Sequence, residues 1–545
     1  MNGSKENLDK TYWLAGSLAC LSLCAALLTA NLASSGPELR SIIIQGENPE
    51  QLAQAIEALG GEVTHELPII NAVSARVTPA QVEELTKLQG ALKIHANAGV
   101  KTSTAIEGSG VPYLDFPTLV EADKLHAMGI DGRDVTVAII DSGMQYDNEL
   151  QRDPEGNMRK LIGYQAIRDK EGPVLDKYGH GSHVASIILN SEASTEGKFN
   201  SIAPRVNVVP IKAFDGTGWG KYADVIRAMQ WVLDNRETYN IRVLNLSFSA
   251  TPRSHYWEDP VNQAVMKLWQ AGVMVIVSAG NTGPKAMTIG VPGNNPYVLT
   301  VGAMTDNYTP GDGSDDYLAS FSSTGPTYEG FVKPEVVAPG GHLTGHTRVK
   351  SKLAKWYPEF HSFDKYFTMS GTSQAAGVAT GIAALILQAD PELSPDDVKC
   401  RLMSAARPAV DSDGKLAYSI FQQGAGLVNA YDAVFSDATA CANRGLDIDA
   451  DVAGTTHFGG LARQNPDGSF YIEGLDGYLW NDTYFWNDSY FWNDTYFWND
   501  AYFWSDAYFW SDTYFWNDGY LWNDTYFWND NLTETTSVNV WVDQE

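Results

Sequence analysis

The central part of the chain, residues 115–435, alternates apolar runs of strand length with helical segments. The predicted strands are Val135–Ile140, Val206–Lys212, Val243–Phe248 and Val273–Val277. Helical patterns separate them at Ser182–Leu189, Tyr222–Asn235 and Val261–Gln270. Strands that are apolar throughout, with helices between them, are typical of an α/β fold with a parallel sheet covered on both faces. In such sheets ligands bind at the carboxyl ends of the strands, so the residues after each run are candidates for chemistry.

Residues 40–95 show a shorter alternation, which indicates a separate small α+β module. Its pattern predicts strands at 41–45, 62–67 and 70–77, helices at 49–59 and 79–88, and a closing strand at 92–95. A polar stretch that carries Gly and Ser, residues 101–110, follows as a linker.

Two segments are long, apolar and uncharged. The first, Thr11–Ser35, ends in small residues and predicts a secretory signal peptide over residues 1–35. An uncleaved membrane anchor is the alternative, because the run is nearly long enough to span a bilayer. The second, Ser373–Gln388, contains Gly, Gln and Thr and runs into Pro391, which favours a buried central helix.

Composition narrows the class of protein. Of the 545 residues, 44% are hydrophobic and 19% are charged, which suits a folded chain, and the net charge is −29. This acidity argues against binding of nucleic acid or of anionic membranes, since both need clustered cations. Four cysteines exclude a disulfide framework. Cys400 and Cys441, which lie outside the signal segment, form either one bridge or two buried thiols.

The C-terminal part has a different composition. Residues 441–477 are rich in Gly and Asp and are interpreted as a linker. In residues 478–531 a Tyr-Phe/Leu-Trp-Asn/Ser-Asp-X hexapeptide repeats nine times, with Trp at every sixth position from Trp480 to Trp528. A period of six keeps equivalent side chains on one face of a strand but not of a helix, so an ordered repeat is β. Three interpretations stay open: disorder, self-assembly, and binding of glycans or of a cell surface through Tyr and Trp.

Four polar residues occupy the positions to which the sheet pattern directs attention. Asp141 ends the first strand, and His180 lies between glycines just before a helix. Asn281 follows the fourth strand, and Ser373 lies at the start of the uncharged helix, where free N–H groups favour an anion. Each residue alone has a structural explanation, as a turn Asp, a loop His, a loop Asn or an N-cap Ser. Together an Asp, a His, an amide donor and a Ser predict an acyl-transfer site.

No metal ligation is expected at this site. His180 and His183 are three residues apart, but no third ligand follows at a spacing typical of zinc.

The motifs VAIIDSGM, YGHGSHVAS, VIVSAGN, KPEVVAPG and MSGTSQAA resemble the motif set of the subtilisin-like serine peptidases over about 111–435. The resemblance implies the subtilisin-like three-layer fold, with Ser373 as nucleophile, His180 as general base, Asp141 orienting His180, and Asn281 in the oxyanion hole. Ser247, Phe248 and Ser249 then lie on the substrate-binding strand. There, side chains replace the family's usual glycines and are expected to narrow the cleft wall. After Ser373 the family's usual Pro and His are also missing.

The resemblance also sets expectations for cofactors and partners. Residues 36–105 resemble the inhibitory propeptide, which the enzyme removes between Lys101 and Pro112; a permanent accessory domain is the alternative. No cofactor is required for the chemistry, and structural calcium is compatible with the family, although Glu192–Asn200 matches a calcium loop poorly. The expected protein is a secreted, extracellular serine endopeptidase acting on proteins or peptides. The alternative is a non-catalytic surface or adhesion protein that carries the repeats.

Overall fold

The computed structural model describes residues 39–473, apart from 47, 88–90, 98, 102–113, 160–161, 168–173, 195–196, 308, 310–312, 314, 363–364 and 413. The predicted signal peptide (1–35), the hexapeptide repeats (478–531) and the predicted cleavage region between Lys101 and Pro112 lie outside the described residues.

The N-terminal module is a four-stranded antiparallel sheet with two helices. Its elements in chain order are β1 (Arg40–Gly46), α1 (Pro49–Ala58), β2 (Glu62–Leu67), a 3₁₀ turn (Pro68–Ile70), β3 (Ala72–Val77), α2 (Pro79–Leu85) and β4 (Ala91–Ala96). The strand order is β2-β3-β1-β4. The helices begin where the sequence predicts, because Asn48 caps α1 and a Thr78–Gln81 capping box starts α2.

Both faces of the module's sheet are buried. In β1, Ile42 and Ile44 pack with the module's own helices. Ile43 between them belongs to the main core of residues 114–435, which are called the catalytic region after their predicted function. Alternate residues of a strand point to opposite faces, so this division shows that the second face of the sheet packs against the rest of the protein.

The catalytic region begins with short elements and then builds the predicted sheet. The module is followed by a short strand, β5 (Gly99–Lys101). Up to the fourth sheet strand the elements of the catalytic region are α3 (Phe116–Leu119), α4 (Ala122–His126), β6 (Thr136–Asp141), α5 (Asn148–Gln151), β7 (Tyr164–Gln165), α6 (His180–Leu189), β8 (Asn207–Lys212), β9 (Trp219–Lys221), α7 (Tyr222–Tyr239), β10 (Ile241–Leu246), α8 (Pro260–Gln270) and β11 (Met274–Ser278). The four strands that the sequence predicts are therefore confirmed as β6, β8, β10 and β11.

The second half of this region adds the sheet edge, a small sheet and the central helix. Its elements are β12 (Leu299–Thr305), β13 (Tyr317–Leu318), β14 (Val336–Pro339), β15 (Leu343–His346), α9 (Lys352–Trp356), a 3₁₀ turn (Pro358–Phe360), β16 (His361–Ser362), β17 (Tyr366–Met369), α10 (Thr372–Ala389), α11 (Pro395–Ser404), α12 (Ile420–Gln423) and α13 (Ala430–Phe435).

The main sheet has eight strands in the order β13-β12-β11-β10-β6-β8-β7, with β14 paired to β12. All pairs are parallel except β12–β13. Helices α7 and α8 pack together on this sheet, and α6 and α10 form a second packed pair on it. The sheet therefore lies between helices, as the α/β prediction requires.

Helix α10 is the central helix predicted from the sequence. Among the described residues it is the one helix long and apolar enough to cross a membrane, and it contacts β10, β11, β12 and β14. Its residues from Thr372 to Leu387 are all buried, so its apolar composition is explained by packing inside the protein.

Residues 441–473 differ from the predicted linker, because they fold against the catalytic region. This C-terminal segment contains α14 (Ile448–Val452) and a hairpin of β18 (Ala462–Gln464) and β19 (Phe470–Ile472). A disulfide joins Cys441 to Cys400 on α11, with the two Cα atoms 5.4 Å apart. Buried Asp451 accepts hydrogen bonds from Tyr297 OH at 3.1 Å and His457 Nδ1 at 2.8 Å. The C-terminal segment therefore has the Gly- and Asp-rich composition of a linker but packs against the catalytic region through a few buried contacts.

Candidate active site

Asp141 and His180 form a buried pair at the carboxyl edge of the main sheet. Asp141 is the last residue of β6, and His180 is the first residue of α6. The His180 Nδ1 atom lies 2.9 Å from both carboxylate oxygens of Asp141, and neither residue is more than 1% exposed. A Cβ atom on Gly181 would lie 2.2 Å from the Gly143 carbonyl oxygen, so glycine is required where the helix start approaches the strand end.

Ser373 lies in the first turn of α10, beside the end of β10. Its Oγ donates to the Ser247 carbonyl oxygen at 3.0 Å, and Ser247 Oγ donates to the Ser373 carbonyl oxygen at 2.9 Å. The Nε2 atom of His180 is buried and has no hydrogen-bond partner among the described residues. The serine and the histidine therefore do not share a hydrogen bond in this structure; such bonds are often formed only with substrate bound.

The starts of α6 and α10 nevertheless pack together. Gln374, which follows Ser373, places its Nε2 3.4 Å from Nδ1 of His183, one helical turn after His180. The two helices are packed against each other. The serine and histidine segments are thus neighbours in the fold although they are far apart in sequence.

Asn281 presents an oriented amide without an acceptor. Its Oδ1 accepts from the Thr372 backbone N–H at 3.0 Å and from Thr372 Oγ1 at 2.7 Å. Because the amide oxygen is bound to Thr372, the Nδ2 atom faces away from Thr372. The Nδ2 atom is buried and has no acceptor in the described part of the chain. The Ser373 N–H likewise has no acceptor there. Two unsatisfied donors beside a serine hydroxyl are what an oxyanion requires, since a buried donor is costly unless something accepts from it.

The predicted substrate-binding residues lie directly after β10, and their side chains pack inward. Phe248 is 1% exposed and its ring centroid lies 5.4 Å from that of Phe214. A Cβ atom on Gly290 would lie 1.8 Å from Ser249 Oγ, so Ser249 fills the space that this glycine leaves free. The Phe248 ring and the Ser249 hydroxyl are thus packed inside the protein, and the narrowing of the cleft wall expected from side chains in place of glycines stays a prediction. The substrate-binding role of Ser247, Phe248 and Ser249 stays a prediction.

His183 is a buried structural histidine. Its Nε2 lies 2.9 Å from the Phe367 carbonyl oxygen, and burial, followed by the charge of His180, lowers the pKa of His183 to about 3. The side chain is therefore neutral over the ordinary working range of pH. This arrangement gives His183 a packing role that its spacing from His180 does not reveal.

Glu192, at the start of the segment that matches a calcium loop poorly, is paired with a lysine, and structural calcium elsewhere in the protein stays a prediction. The Lys365 Nζ atom lies 2.9 Å from Glu149 Oε1 and 2.9 Å from Glu192 Oε1. Burial opposes each charge, but the ion pairs outweigh it, so the pKa of both carboxyls is lowered and that of Lys365 is raised. An ammonium group therefore fills the position of a cation next to Glu192–Asn200. Within the ranges described above, no group of three or more His, Cys, Asp or Glu is arranged to hold a metal.

The N-terminal module reaches the same edge of the protein. Strand β5 pairs antiparallel with β9, with Val100 opposite Gly220. Asn97 Oδ1 accepts from the Ala223 N–H at 2.8 Å at the start of α7, and His65 Nε2 lies 3.1 Å from Asp224 Oδ1. Because β9 forms a bridge to Phe214, whose N–H bonds to the Asp141 carbonyl oxygen, β5 lies beside the Asp141 side of the site.

Comparison with known proteins agrees with the fold. The sequence profile of the Subtilase family matches residues 132–426. Serine protease AprX of Bacillus subtilis (strain 168) is 36% identical over 373 residues, which cover 67% of this chain and 79% of AprX. Subtilisin E of the same organism is 29% identical over 379 residues, which cover 69% of this chain and 83% of subtilisin E.

A solved structure gives the same fold. Fervidolysin from Fervidobacterium pennivorans, a keratinolytic enzyme related to subtilisin, aligns with a TM-score of 0.57 at 21% identity, over 75% of this chain and 62% of that structure. The chain therefore belongs to the subtilase family and is a subtilisin-like serine endopeptidase, a class that needs no cofactor for its chemistry.

Proposed function

We propose that Asp141, His180 and Ser373 are the catalytic triad of this endopeptidase. The observation that carries the proposal is the buried Asp141–His180 pair, in which Nδ1 is held at 2.9 Å and Nε2 is left without a partner among the described residues. This geometry fixes the tautomer with the proton on Nδ1, so Nε2 is available as a base. Subtilisin is the reference enzyme for this triad, and its roles are carried over here by family membership.

The proposed reaction proceeds through an acyl-enzyme. Ser373 Oγ attacks the substrate carbonyl carbon while His180 Nε2 takes its proton, and Asp141 stabilises the imidazolium that results. The tetrahedral oxyanion accepts from Asn281 Nδ2 and from the Ser373 N–H. His180 then gives the proton to the leaving amine, and a water molecule, activated by the same histidine, hydrolyses the ester.

The N-terminal module is proposed to be an inhibitory propeptide that the enzyme removes itself, between Lys101 and Pro112. The pairing of β5 with β9 supports this proposal, because an extended peptide added to a free strand edge is a common mode of substrate recognition. The buried second face of the module's sheet also supports the propeptide proposal, because it shows that the module packs against the catalytic region and is not merely connected to it by a linker. Other proposed properties of the protein are secretion to the extracellular space and retention at the cell surface, by glycan binding or self-association of the repeats.

Intact mass of the secreted wild type beside Ser373→Ala, each with and without calcium, tests triad and processing together. We expect the wild type to lose everything before about residue 105–112 and Ser373→Ala to keep the module and to hydrolyse no peptide. Equal masses for the two proteins, together with undiminished hydrolysis by the variant, contradict the assignment.

The alternative is a surface or adhesion protein whose only function resides in the hexapeptide repeats. Deletion of residues 478–530 separates the two. A peptidase keeps most of its activity on a small peptide, whereas an adhesin loses its function. The buried Asp141–His180 pair and the two unsatisfied donors beside Ser373 favour the peptidase.

A further inference from the structure

Asp176, four residues before His180, is a buried carboxylate outside the proposed triad. Its side chain is fully buried and accepts five hydrogen bonds of 3.0 Å or shorter. Oδ1 accepts from Ser142 Oγ at 2.9 Å, from the Tyr178 N–H at 3.0 Å and from the Gly179 N–H at 2.7 Å. Oδ2 accepts from the N–H and the hydroxyl of Ser182, at 2.8 and 2.7 Å. A carboxylate that is buried away from solvent needs hydrogen-bond donors for both of its oxygens, and Asp176 has them.

These donors belong to the two segments that carry Asp141 and His180. Ser142 directly follows Asp141, and its Oγ in turn accepts from the Gly181 N–H at 3.0 Å. Ser182 Oγ accepts from the Gln145 N–H at 3.0 Å. Asp176 therefore connects the loop after β6 to the residues on both sides of His180.

Asp176 also accepts a hydrogen bond at the N-terminus of α6 that the N-cap residue of this helix does not accept. The N-cap residue of that helix is Gly179, with φ of 113°, and it makes no side-chain hydrogen bond to the helix. The Ser182 N–H, at the third helical position, is satisfied by Asp176 instead. A carboxylate at a helix N-terminus stabilises the first turn, which here is the turn that carries His180.

Asp176 and Asp141 are close enough for their charges to interact. Burial and the nearby charge of Asp141 raise the pKa of the Asp176 carboxyl above its ordinary value, against the hydrogen bonds from Gly179 and Ser182, which lower it. The hydrogen bonds favour the ionised form, because backbone N–H groups can only donate.

We propose that Asp176 is a positioning residue for catalysis, which sets the Asp141–His180 geometry by cross-linking the two segments and capping α6. The inference rests on the proposed function of that pair. The sequence carries a signal for it, an Asp four positions before the motif histidine, but not the hydrogen bonds that give the residue its role.

Asp176→Asn tests the proposal with little change in shape. The amide nitrogen must face either the Ser182 donors or those of Ser142, Tyr178 and Gly179, so one side of the network is lost. We expect kcat to fall by about tenfold to a hundredfold with KM within about twofold, since small misplacement of a catalytic group has effects of this size. Loss of a negative charge near His180 also destabilises its imidazolium, so the acid limb of kcat/KM moves to lower pH.

The experiment uses the full chain after processing, with active-site titration to correct for inactive enzyme. Asp451→Asn is the matched control, because Asp451 is equally buried and accepts from Tyr256, Tyr297 and His457, none of which belongs to the site. We expect it to lower the melting temperature and to leave kcat and the acid limb unchanged. Ser142→Ala, which removes the hydroxyl between Asp176 and Gly181 without removing a charge, should lower kcat less than Asp176→Asn and leave the acid limb in place; its kcat tests the proposal if Asp176→Asn does not fold.

Wild-type kcat and an unshifted acid limb in Asp176→Asn overturn the proposal, and so does an equal shift in Asp451→Asn. Failure of the proposed function is a separate result, because it appears as peptide hydrolysis that survives in Ser373→Ala, whatever Asp176 variants do.

Discussion

The disulfide between Cys400 and Cys441 is expected to hold the C-terminal segment on the catalytic region, and its removal has a calculable effect. The perturbation is the double substitution Cys400→Ala with Cys441→Ala, made in the Ser373→Ala background so that no autolysis occurs. The two cysteines are 41 residues apart in sequence. In the chain-entropy account, cross-linking a loop of that length stabilises the folded state by about 4 kcal/mol at 25 °C.

That free energy corresponds to a measurable shift in melting temperature. Unfolding entropy is about 2.1 cal/mol/K per residue, and the Ser373→Ala background keeps the N-terminal module, so a folded region of roughly 435 residues melts about 4 °C lower for a loss of about 4 kcal/mol. The assay is thermal unfolding followed by calorimetry, with and without a reductant. The unsubstituted Ser373→Ala protein should lose the same 4 °C or so on reduction, and the double variant should not respond to reductant.

A double variant that melts within about 1 °C of its parent refutes the reasoning, because the loop then gains nothing from being closed. A parent that ignores reductant after complete reduction, verified by thiol titration, refutes it as well. In either case the C-terminal segment is held by its buried contacts alone, with Asp451 at their centre.

Three further predictions concern the site and its surroundings. Asn281→Ala should lower kcat about a hundredfold to a thousandfold with little change in KM, which is the size of the effect in subtilisin itself, the reference case for an oxyanion-hole amide. Peptide hydrolysis corrected by active-site titration measures this change. An unchanged kcat would show that Asn281 does not act in the oxyanion hole. His183→Gln should leave the acid limb of kcat/KM in place, because the pKa of His183 is lowered to about 3 and the residue stays neutral; a shifted limb would show that His183 takes part in the titration. Lys365→Met should leave the Glu149 and Glu192 carboxylates facing each other without a cation between them. Calcium should then bind there and raise the melting temperature of this variant but not that of wild type. An equal effect of calcium on both proteins contradicts the assignment of Lys365 as the cation between these carboxylates.

The sheet and the four motif residues could be predicted from the sequence because each signal there is local. Val135–Ile140 and the other apolar runs fit only buried strands, and their ends place Asp141 and Asn281 at one edge of the sheet. His180 and Ser373 are marked by short motifs at helix starts. The central helix α10 is recognisable because Gly, Thr and Gln interrupt its apolar composition.

Other features depend on contacts between distant segments and have no local pattern. Asp176 resembles an ordinary turn residue until Ser142 and Ser182 are seen to donate to it. The C-terminal segment has the composition of a linker, yet Asp451 meets Tyr297, which is 154 residues away in sequence. The inward packing of Ser249 depends on Gly290, and the position of the Lys365 ammonium depends on helix α5, which carries Glu149, and on a separate loop that carries Glu192.

The pairing of β5 with β9 has a consequence for how activity depends on protein concentration. If the module is the propeptide proposed above, then while residues 99–101 are covalently joined to the catalytic region it competes for the β9 edge at an effective concentration in the millimolar range, which no free peptide easily matches. Once the connecting chain is cut, the same contacts become those of a separate inhibitor, whose occupancy falls as the solution is diluted. Under that proposal, release of the enzyme is governed by dilution and by degradation of the module, so that peptidase activity rises when the processed protein leaves the concentrated environment in which it is made.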